Sequence, residues 1–324
     1  MQLIRLMAAM ALSTTAVAFA QTVTAYPERD KSLKIVVPFA AGGGVDAAAR
    51  LLGTQLSKQL GVTVVVENKA GGNGTIGGKA VQTAPADGYT LLFSAATHVL
   101  ARQVLSAPPY DPQTDFAPVA RTGTAPLMLV VAPAKPQTKL AELLGAVKRE
   151  PDKWTAGIPA AGAPSHLATL LMARQAQIKL SLVPYKGTQP ALMDVAGGHT
   201  DLLLDSMISL MPMARSSKVR PIAITSAKRS SLMPDVPTFK ESGLPSFEFE
   251  SWYGVWAPRD TPADRIASLN TAINKATAEL ARSGALTALG IEPVTETAAQ
   301  FRSYVAAEVK EGTELLKDAG FKPE

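Results

Sequence analysis

The chain has 324 residues, of which 47% are hydrophobic, no cysteine and a formal net charge of +5. This length suits two α/β lobes better than one small core, and without disulfide bonds the burial of apolar side chains has to stabilise them. The basic residues are scattered and form no long tract, which argues against a nucleic-acid partner and only mildly favours an anionic ligand.

The first twenty residues have the pattern of an export signal. Arg5 supplies a positive charge, the stretch 6–17 is largely apolar, and Ala18-Phe19-Ala20 has the small-x-small pattern of a cleavage site. The apolar stretch is shorter than a bilayer requires, and no second long one follows it. We therefore expect residues 1–20 to be removed and the mature chain to be exported and soluble.

A glycine-rich loop between a strand and a helix is the first candidate site. The β-branched residues at 35–37 predict a buried strand, and the alanine-rich run that leads to Arg50 predicts a helix. Between them, Gly42, Gly43 and Gly44 lack a Cβ, so the backbone can take positive φ and a ligand can approach it closely. The free N–H groups at the start of the helix point to the same place, which predicts an anion site.

The same loop also fits the dinucleotide-binding pattern G-x-G-x-x-A, which leaves an enzyme as the alternative. Glu67 follows the loop by about twenty residues, where an acid that binds a ribose would lie. This alternative is an exported dinucleotide-binding oxidoreductase that uses Gly42, Gly43, Gly44 and Glu67. It is weakened because no twin arginine precedes the apolar stretch, so a cofactor would have to be found outside the cytoplasm. The second lobe also offers no convincing catalytic acid or base.

The remaining hydrophobic pattern alternates strands with helices. Strands are predicted at 62–67, 90–93, 127–132, 154–158, 180–184, 201–205 and 221–225, and an extended segment at 247–256. Helices are predicted at 50–60, 139–150, 165–177, 189–196 and 298–319. Another is predicted to begin with Thr261 as its N-cap and Pro262 at its first helical position. The segments 111–119 and 230–245 are predicted to be irregular. Strands that alternate with helices in this way indicate an α/β fold.

A second strand, loop and helix unit repeats the first one. The strand at 154–158 is followed by a loop that contains Ala161 and Gly162, and Ser165 is a suitable N-cap for the next helix. We place the first passage between the lobes near residue 127 and the return near residue 252. Lobe 1 is thus expected to hold residues 27–127 and 252–324, and lobe 2 residues 128–251. The two loops would then face one another across a cleft.

Several polar residues are candidates for ligand contact, and each has a structural alternative. Ser94 and Thr97 follow a strand at the end where open α/β sheets bind ligands, although either could cap a helix. Asp46 could bind an amine or a hydroxyl group, or it could stabilise the positive end of the helix dipole. Asp205 ends a leucine-rich strand and could accept hydrogen bonds from a ligand or from loop N–H groups. Tyr185 follows another strand, in lobe 2.

The chain lacks the motifs of common hydrolases and metalloenzymes. It has three histidines, His98, His166 and His199, but neither G-x-S-x-G nor H-E-x-x-H. Ser165 and His166 are adjacent, so their side chains point in different directions from the start of a helix. We therefore expect no enzyme activity, no metal and no cofactor.

Five collinear motifs resemble one known family. They are IVVPFAAGGGVD at 35–46, VENKAGGNGTIG at 66–77, ADGYTLL at 86–92, VPYKG at 183–187 and GGHTD at 197–201. In these motifs the chain resembles the Bug-type solute-binding proteins that serve tripartite tricarboxylate transporters. The resemblance spans nearly the whole mature chain. It implies a type II periplasmic binding protein fold, in which two α/β lobes joined by a hinge close on a small carboxylate.

The resemblance also implies where the ligand lies. In that family one carboxylate lies between the two strand-to-helix loops and is held by backbone amides and ordered water, while more variable side chains bind the opposite end. Carried over to this chain, the first loop is 39–46 and the second is 160–165. Phe39 would form a wall of the pocket, although its position beside a strand is equally consistent with a core role.

The resemblance further implies a periplasmic location and delivery of the ligand to the membrane components of a transporter. We expect the protein to be a monomer. Dicarboxylates, tricarboxylates, aromatic acids and acidic amino acids all share the group that the loops would hold. The identity of the carboxylate therefore stays open at this point.

Overall fold

The computed structural model describes residues 26–151 and 153–323. The predicted signal peptide at 1–20 lies outside these residues. Within them, none of the helices combines the length and the apolar character that are needed to cross a membrane.

Strands and helices alternate along most of the described chain. The strands are β1 (Leu33–Val37), β2 (Val64–Asn68), β3 (Thr90–Ser94), β4 (Phe116–Val131), β5 (Thr155–Ile158), β6 (Ser181–Pro184), β7 (Leu202–Ser206), β8 (Arg220–Ile224), β9 (Glu250–Pro258) and β10 (Glu292–Pro293). The helices are α1 (Gly44–Leu60), α2 (Thr75–Gln82), α3 (Ala96–Val99), α4 (Ala101–Val104), α5 (Leu140–Arg149), α6 (Pro164–Ala176), α7 (Thr188–Ala196), α8 (Met207–Arg215), α9 (Ala263–Arg282), α10 (Ala285–Ala288) and α11 (Ala298–Asp318). The predicted α/β fold class is confirmed.

One mixed sheet connects the two halves of the molecule. Its strand order is β2-β1-β3-β9-β4-β7-β5-β6, and β8 and β10 pair with β4 outside this path. The strand β1 is parallel to β2 and β3, and β5 is parallel to β6 and β7, whereas β4 and β9 are antiparallel to their neighbours. Each half thus contains a small parallel sheet whose loops leave from the carboxyl ends of the strands.

The long strand β4 runs through both halves of the sheet. Residues 116–126 of this strand pair with β9, and residues 127–131 pair with β7. The chain therefore passes between the halves as one continuous strand. The predicted lobe boundaries stay a prediction, and the terms lobe 1 and lobe 2 keep the ranges given above.

Apolar side chains pack on both faces of each half-sheet. In lobe 1, Ile35 packs with α1 and α9 on one face, and Trp256 packs with α11 on the other. In lobe 2, Leu129 packs in the core on one face of the sheet and Met128 packs in the core on the other. Burial of one large apolar side chain contributes roughly 1.5–3 kcal/mol. These cores fix the strand ends from which the loops of the candidate site emerge.

Two segments differ from the sequence-based prediction. The segment 111–119 is only partly irregular, because β4 begins at Phe116; Pro118 is accommodated where the pairing register with β9 shifts. The helix α8 was not predicted, since its sequence is apolar on all sides and contains Pro212. The strand predicted at 201–205 ends one residue before the observed end of β7 at Ser206.

Two predicted helix caps are wrong. The N-cap of α6 is Ala163, and Ser165 lies in the first turn, where its hydroxyl donates to the carbonyl of Leu204 at 2.6 Å. Pro164 occupies the first helical position, which its fixed φ favours. Thr261 likewise donates its hydroxyl to the carbonyl of Pro258 instead of capping α9. In both places a nearby backbone acceptor competes successfully with the cap.

Two histidines are buried in the described core. His98 lies 4.6 Å from Phe116 and 4.9 Å from Trp256, ring centre to ring centre, and its Nδ1 is 3.4 Å from the hydroxyl of Tyr110. Burial lowers the pKa of His98 to about 3 and that of His166 to about 4. Both side chains are therefore neutral in the folded protein near pH 7.

We expect acid to weaken the fold through His98. Its folded pKa lies below the ordinary value of 6.5, so the unfolded chain binds more protons than the folded chain between these values. The free energy of unfolding then falls as pH drops from 6.5, by up to about 1.4 kcal/mol per pH unit. Urea unfolding at pH 7 and pH 5 should show a smaller loss for His98→Phe than for the wild type. Equal losses in the two proteins would contradict the assignment.

Candidate functional site

A small cavity lies between the two lobes, where loops leave the carboxyl ends of the parallel strands. Its volume is about 60 Å³, several times the roughly 10–15 Å³ that holds one water molecule. The wall is formed by residues at or just after the carboxyl ends of five strands, within the segments 39–46, 95–97, 159–164, 187–189 and 205–206, and by Ser251 and Tyr253 of β9. Ligands of open α/β sheets bind at this edge.

Four helices of nine or more residues begin at this cavity. Their N-caps are Gly43 for α1, Ala163 for α6, Gly187 for α7 and Ser206 for α8, and no cap side chain accepts a hydrogen bond from its helix. In α1 the first intrahelical bond is donated by Ala47, so the N–H groups before it have no partner within the helix.

The helix ends make the cavity attractive to an anion. Each helix N-terminus carries roughly half a positive charge. No lysine, arginine or histidine of the described chain lines the cavity. The positive potential therefore comes from backbone N–H groups of both lobes and from no side chain.

The lobes contact one another around the cavity. The side-chain amide of Gln189 in lobe 2 donates to the carbonyl of Gly42 in lobe 1 at 3.0 Å. The amide of Asn73 in lobe 1 donates to the carbonyl of Ala161 in lobe 2 at 2.8 Å. Further out, Arg174 of α6 forms an ion pair with Asp318 of α11 at 2.8 Å. The structure is thus a closed arrangement of the lobes.

Half of the predicted ligand-binding residues line this cavity. They are Phe39, Gly43, Gly44, Asp46, Thr97 and Asp205. The structure therefore brings the two strand-to-helix loops to one shared space, as the cleft model requires. Contact of these residues with a ligand stays a prediction.

The three glycines of the first loop have different structural roles. Gly42 has a φ of +87°, which favours glycine, whereas Gly43 has a φ of −79° and Gly44 begins the helix. The expectation that positive φ explains all three is therefore wrong. Gly44 is required for space, because a Cβ there would overlap the Ser206 hydroxyl and lie 3.0 Å from the Tyr253 hydroxyl.

Asp46 is fully engaged within the protein. Its carboxylate accepts the N–H of Gly42 at 2.9 Å and the amide of Asn68 at 2.9 Å, and it forms an ion pair with Arg50 at 3.0 Å. Burial alone would raise the pKa of Asp46, but the hydrogen bonds from Arg50, Gly42 and Asn68 hold it below its ordinary value. These contacts favour the structural alternative, in which Asp46 anchors the loop and the helix start.

The other predicted residues lie outside the cavity wall as far as the chain is described. They are Gly42, Ser94, Ala161, Gly162, Ser165 and Tyr185. Gly42 and Ala161 offer their carbonyl groups to contacts between the lobes. Ser165 lies behind the wall, where its hydroxyl bonds to the backbone of β7.

The remaining three of these residues support neighbouring structure. The N–H of Gly162 donates to Nδ1 of His166 at 3.0 Å. The hydroxyl of Tyr185 donates to Asp194 at 2.7 Å and lies 2.6 Å from the hydroxyl of Thr200. Ser94 is fully buried, and its hydroxyl has no hydrogen-bond partner among the described residues. The backbone of Ser94 pairs with Gly254 of β9.

Five polar wall residues were not among the predicted ligand-binding residues. They are Thr188, Gln189, Ser206, Ser251 and Tyr253. The Gly187-Thr188 step before a helix repeats the glycine signal of the first loop and could have indicated the first two. Ser206 was missed together with α8, and the alternating segment that holds Ser251 and Tyr253 does not reveal which face meets the cavity.

Asp205 is the buried carboxylate of the wall. It is 8% exposed, and its Oδ2 has no hydrogen-bond partner among the described residues. Burial raises the pKa of Asp205, against hydrogen bonds from Thr188 and from the N–H of Ser206. Burial also raises the pKa of Tyr253 to about 12, with the Ser206 hydroxyl and the Asp205 charge close by.

The acidic residue required by the dinucleotide alternative is not part of this site. Glu67 lies outside the cavity wall and pairs with Lys34 at 3.3 Å and with Lys69 at 3.2 Å. Within residues 26–151 and 153–323, no group of three or more acidic, histidine or cysteine side chains is arranged to hold a metal ion.

The fold and the site define a two-lobed solute-binding protein. Residues 48–321 match the model of the tripartite tricarboxylate transporter family receptor. BugT of Bordetella pertussis is 35% identical over 326 aligned positions, which cover 99% of each chain. The chain belongs to this receptor family, which confirms the resemblance to Bug-type proteins and the expectation that the protein is not an enzyme.

Solved structures of the same family show the same fold. Rpa4515 of R. palustris with adipate has a TM-score of 0.86 and 34% identity, over 93% of this chain and all of that one. MatC of Rhodopseudomonas palustris with bound malate has a TM-score of 0.81 and 32% identity, over 90% of this chain and all of that one. The predicted type II periplasmic binding protein fold is confirmed.

We expect Asp46→Asn to destabilise the protein by about 1–3 kcal/mol, because it removes a charged acceptor from buried hydrogen bonds. Urea unfolding at pH 7 measures this loss. Asp264→Asn is the matched control, since Asp264 is an exposed acid in the first turn of α9. Its replacement should cost only about 0.3–1 kcal/mol. Equal losses for the two variants would show that the contacts of Asp46 add nothing to the dipole effect.

Proposed function

We propose that this chain is a periplasmic receptor that captures a small carboxylate between its lobes and delivers it to the membrane components of a tripartite tricarboxylate transporter. The observation that carries the proposal is the convergence of four uncapped helix N-termini on one cavity between the lobes. Such ends bind anions through oriented N–H groups. The relatives whose structures contain adipate and malate support a carboxylate as the anion.

The proposed mechanism is capture by lobe closure. In the open form the helix ends of the two lobes face water separately. A carboxylate that accepts N–H groups from α1 in lobe 1 and from α6, α7 or α8 in lobe 2 binds the closed form more tightly than the open form. It therefore shifts the population toward closure by its difference in affinity.

Contacts between the lobes add to this preference. The hydrogen bonds from Gln189 to Gly42 and from Asn73 to Ala161 join residues of different lobes, so they form when the lobes meet. Neither bond uses a ligand atom. The closed shape, with these contacts made, is the form that we propose the membrane components recognise. The export signal predicted at 1–20 would carry the chain to the periplasm, where we propose that it acts as a monomer.

A thermal-shift screen of small acids tests the proposal. Dicarboxylates, tricarboxylates, aromatic acids and acidic amino acids should be tested separately, with NAD in the same plate. A bound acid at a hundred times its Kd stabilises the folded form by about 2.7 kcal/mol. We expect at least one carboxylate to raise Tm and NAD to leave it unchanged. A shift with NAD alone would restore the dinucleotide alternative, and no shift with any acid would contradict the proposal.

Replacement of Gly44 should weaken binding by opposing closure. In Gly44→Ala the added Cβ overlaps Ser206 of lobe 2, a clash that opening of the lobes relieves. Overpacking of this kind costs about 1–3 kcal/mol, so we expect Kd for the acid found in the screen to rise about 5- to 150-fold.

A helical glycine remote from the cavity is the control for this variant. In Gly145→Ala the new methyl group lies 3.7 Å from the flexible side chain of Arg149. Its Kd should equal that of the wild type by isothermal titration calorimetry. If Gly44→Ala also binds normally, the two lobes do not meet at Gly44 in the liganded protein.

A further inference from the structure

Three polar groups on one wall of the cavity keep unused hydrogen-bonding capacity. They are Oδ2 of Asp205, Oγ of Ser206 and the hydroxyl of Tyr253, none of which makes a hydrogen bond of good geometry among the described residues. The Ser206 and Ser251 hydroxyls do lie close enough to the Tyr253 hydroxyl to favour its ionised form. The three residues are 8%, 6% and 1% exposed. Buried polar groups are generally paired, because an unpaired one gives up its hydrogen bonds to water without replacement. A molecule that fills the cavity therefore has to supply the missing partners.

The chemistry of this wall calls for a hydrogen-bond donor. An ionised carboxylate only accepts hydrogen bonds, whereas a hydroxyl group donates one and accepts others. Asp205 already accepts from Thr188 and from the N–H of Ser206, yet Oδ2 remains unused. No cationic side chain of the described chain lines the cavity to neutralise this carboxylate. A ligand that donates to Oδ2 would satisfy it.

The three polar groups lie next to the N-terminus of α1, which is proposed to bind the carboxylate. The first helical residue of α1 is Gly44, whose N–H is among those without an intrahelical partner. The Ser206 and Tyr253 hydroxyls lie against this same glycine, so closely that a Cβ on it would overlap the first and lie 3.0 Å from the second. A carboxylate held by α1 therefore has the polar wall as its immediate neighbour. The ligand atom that meets this wall belongs on a carbon next to the carboxylate.

We propose that the ligand is a 2-substituted carboxylic acid whose ammonium or hydroxyl group donates to Asp205, with Ser206 and Tyr253 as further partners. This inference rests on the proposed function, because it assigns the group beside the carboxylate that the helices hold. A second carboxylate is disfavoured at this position, because two carboxylates in contact oppose one another's ionised forms.

A second cavity can hold the rest of a longer ligand. An outer cavity of about 280 Å³ shares Phe39, Pro159, Ala160 and Gly187 with the inner one. Its wall also contains the exposed Lys186 and the glycine-rich turn at 71–74. The ligand chain leaves the inner cavity in this direction, so a distal acidic group lies beside Lys186 and away from Asp205.

Two matched sets of acids test the proposal by isothermal titration calorimetry on the mature chain. One set is succinate, malate and aspartate, which differ only in the substituent on carbon 2. The other is propionate, lactate and alanine, which differ in the same way but have no distal acid. In at least one set we expect the hydroxy or the amino acid to bind at least about tenfold more tightly than the unsubstituted acid, as a hydrogen bond to a charged group allows.

Substitutions in the cavity wall show which residues cause the preference for the substituted acids. Asp205→Asn keeps the shape of the side chain but removes its charge, so the preference for an amino acid over the unsubstituted acid should fall at least about tenfold. The preference for a hydroxy acid should fall less, because an amide oxygen still accepts a hydrogen bond. This difference distinguishes an ammonium ligand from a hydroxyl ligand. Asp264→Asn, on the exposed side of α9, should leave both ratios unchanged.

Tyr253→Phe gives an independent test in case Asp205→Asn does not fold. It removes one hydroxyl from the wall with little change of volume, and it should also reduce the preference for the substituted acid. If the unsubstituted acids bind as well as the substituted ones, the inference is wrong while the proposed carboxylate function stands. If no acid of either set binds, the inference is again wrong, and the wider acid screen decides the proposed function. Unchanged ratios in both variants would likewise overturn it.

Discussion

The site depends on helix N-termini whose N-cap side chains, in the described part of the chain, accept no hydrogen bond from the helix. Four helices begin at one cavity between the lobes. Two strand-to-helix loops supply most of the wall of this cavity. A helix N-terminus without a cap leaves several donors unsatisfied. When such ends from both lobes face the same small volume, their common partner has to be negatively charged and has to lie between the lobes. The proposed anion binding and the proposed lobe closure therefore rest on the same arrangement.

The sequence predicts those parts of this arrangement that have local signals. The β-branched run before Gly42 and the repeat of strand, loop and helix before Ser165 are visible without any knowledge of the fold, because a buried strand and a glycine turn each leave a mark within a few residues. The helix α8 leaves no such mark, since its apolar residues show no period and Pro212 interrupts it. Ser206, at its N-cap, was missed for that reason.

Side-chain roles within the site were harder to predict than the loops. Ser165 and Thr97 have similar hydroxyl groups, yet Thr97 lines the cavity and Ser165 bonds to the carbonyl of Leu204 behind it. Which of these happens depends on a tertiary neighbour that is distant in sequence. Asp46 and Asp205 differ in the same way: the first is surrounded by donors of its own loop and its own helix, whereas the second keeps one oxygen free. Only the packed structure separates an anchoring carboxylate from an available one.

Because the positive potential of the cavity comes from the main chain, amino acid substitution cannot easily remove it. A receptor that held its ligand with an arginine would lose its anchor in a single replacement. Here the side chains that line the cavity, such as Thr188, Ser251 and Tyr253, can vary while the helix ends persist. This separation of main-chain and side-chain roles allows one scaffold to diversify toward many acids over evolutionary time, because the helix N-termini are retained when the side chains change.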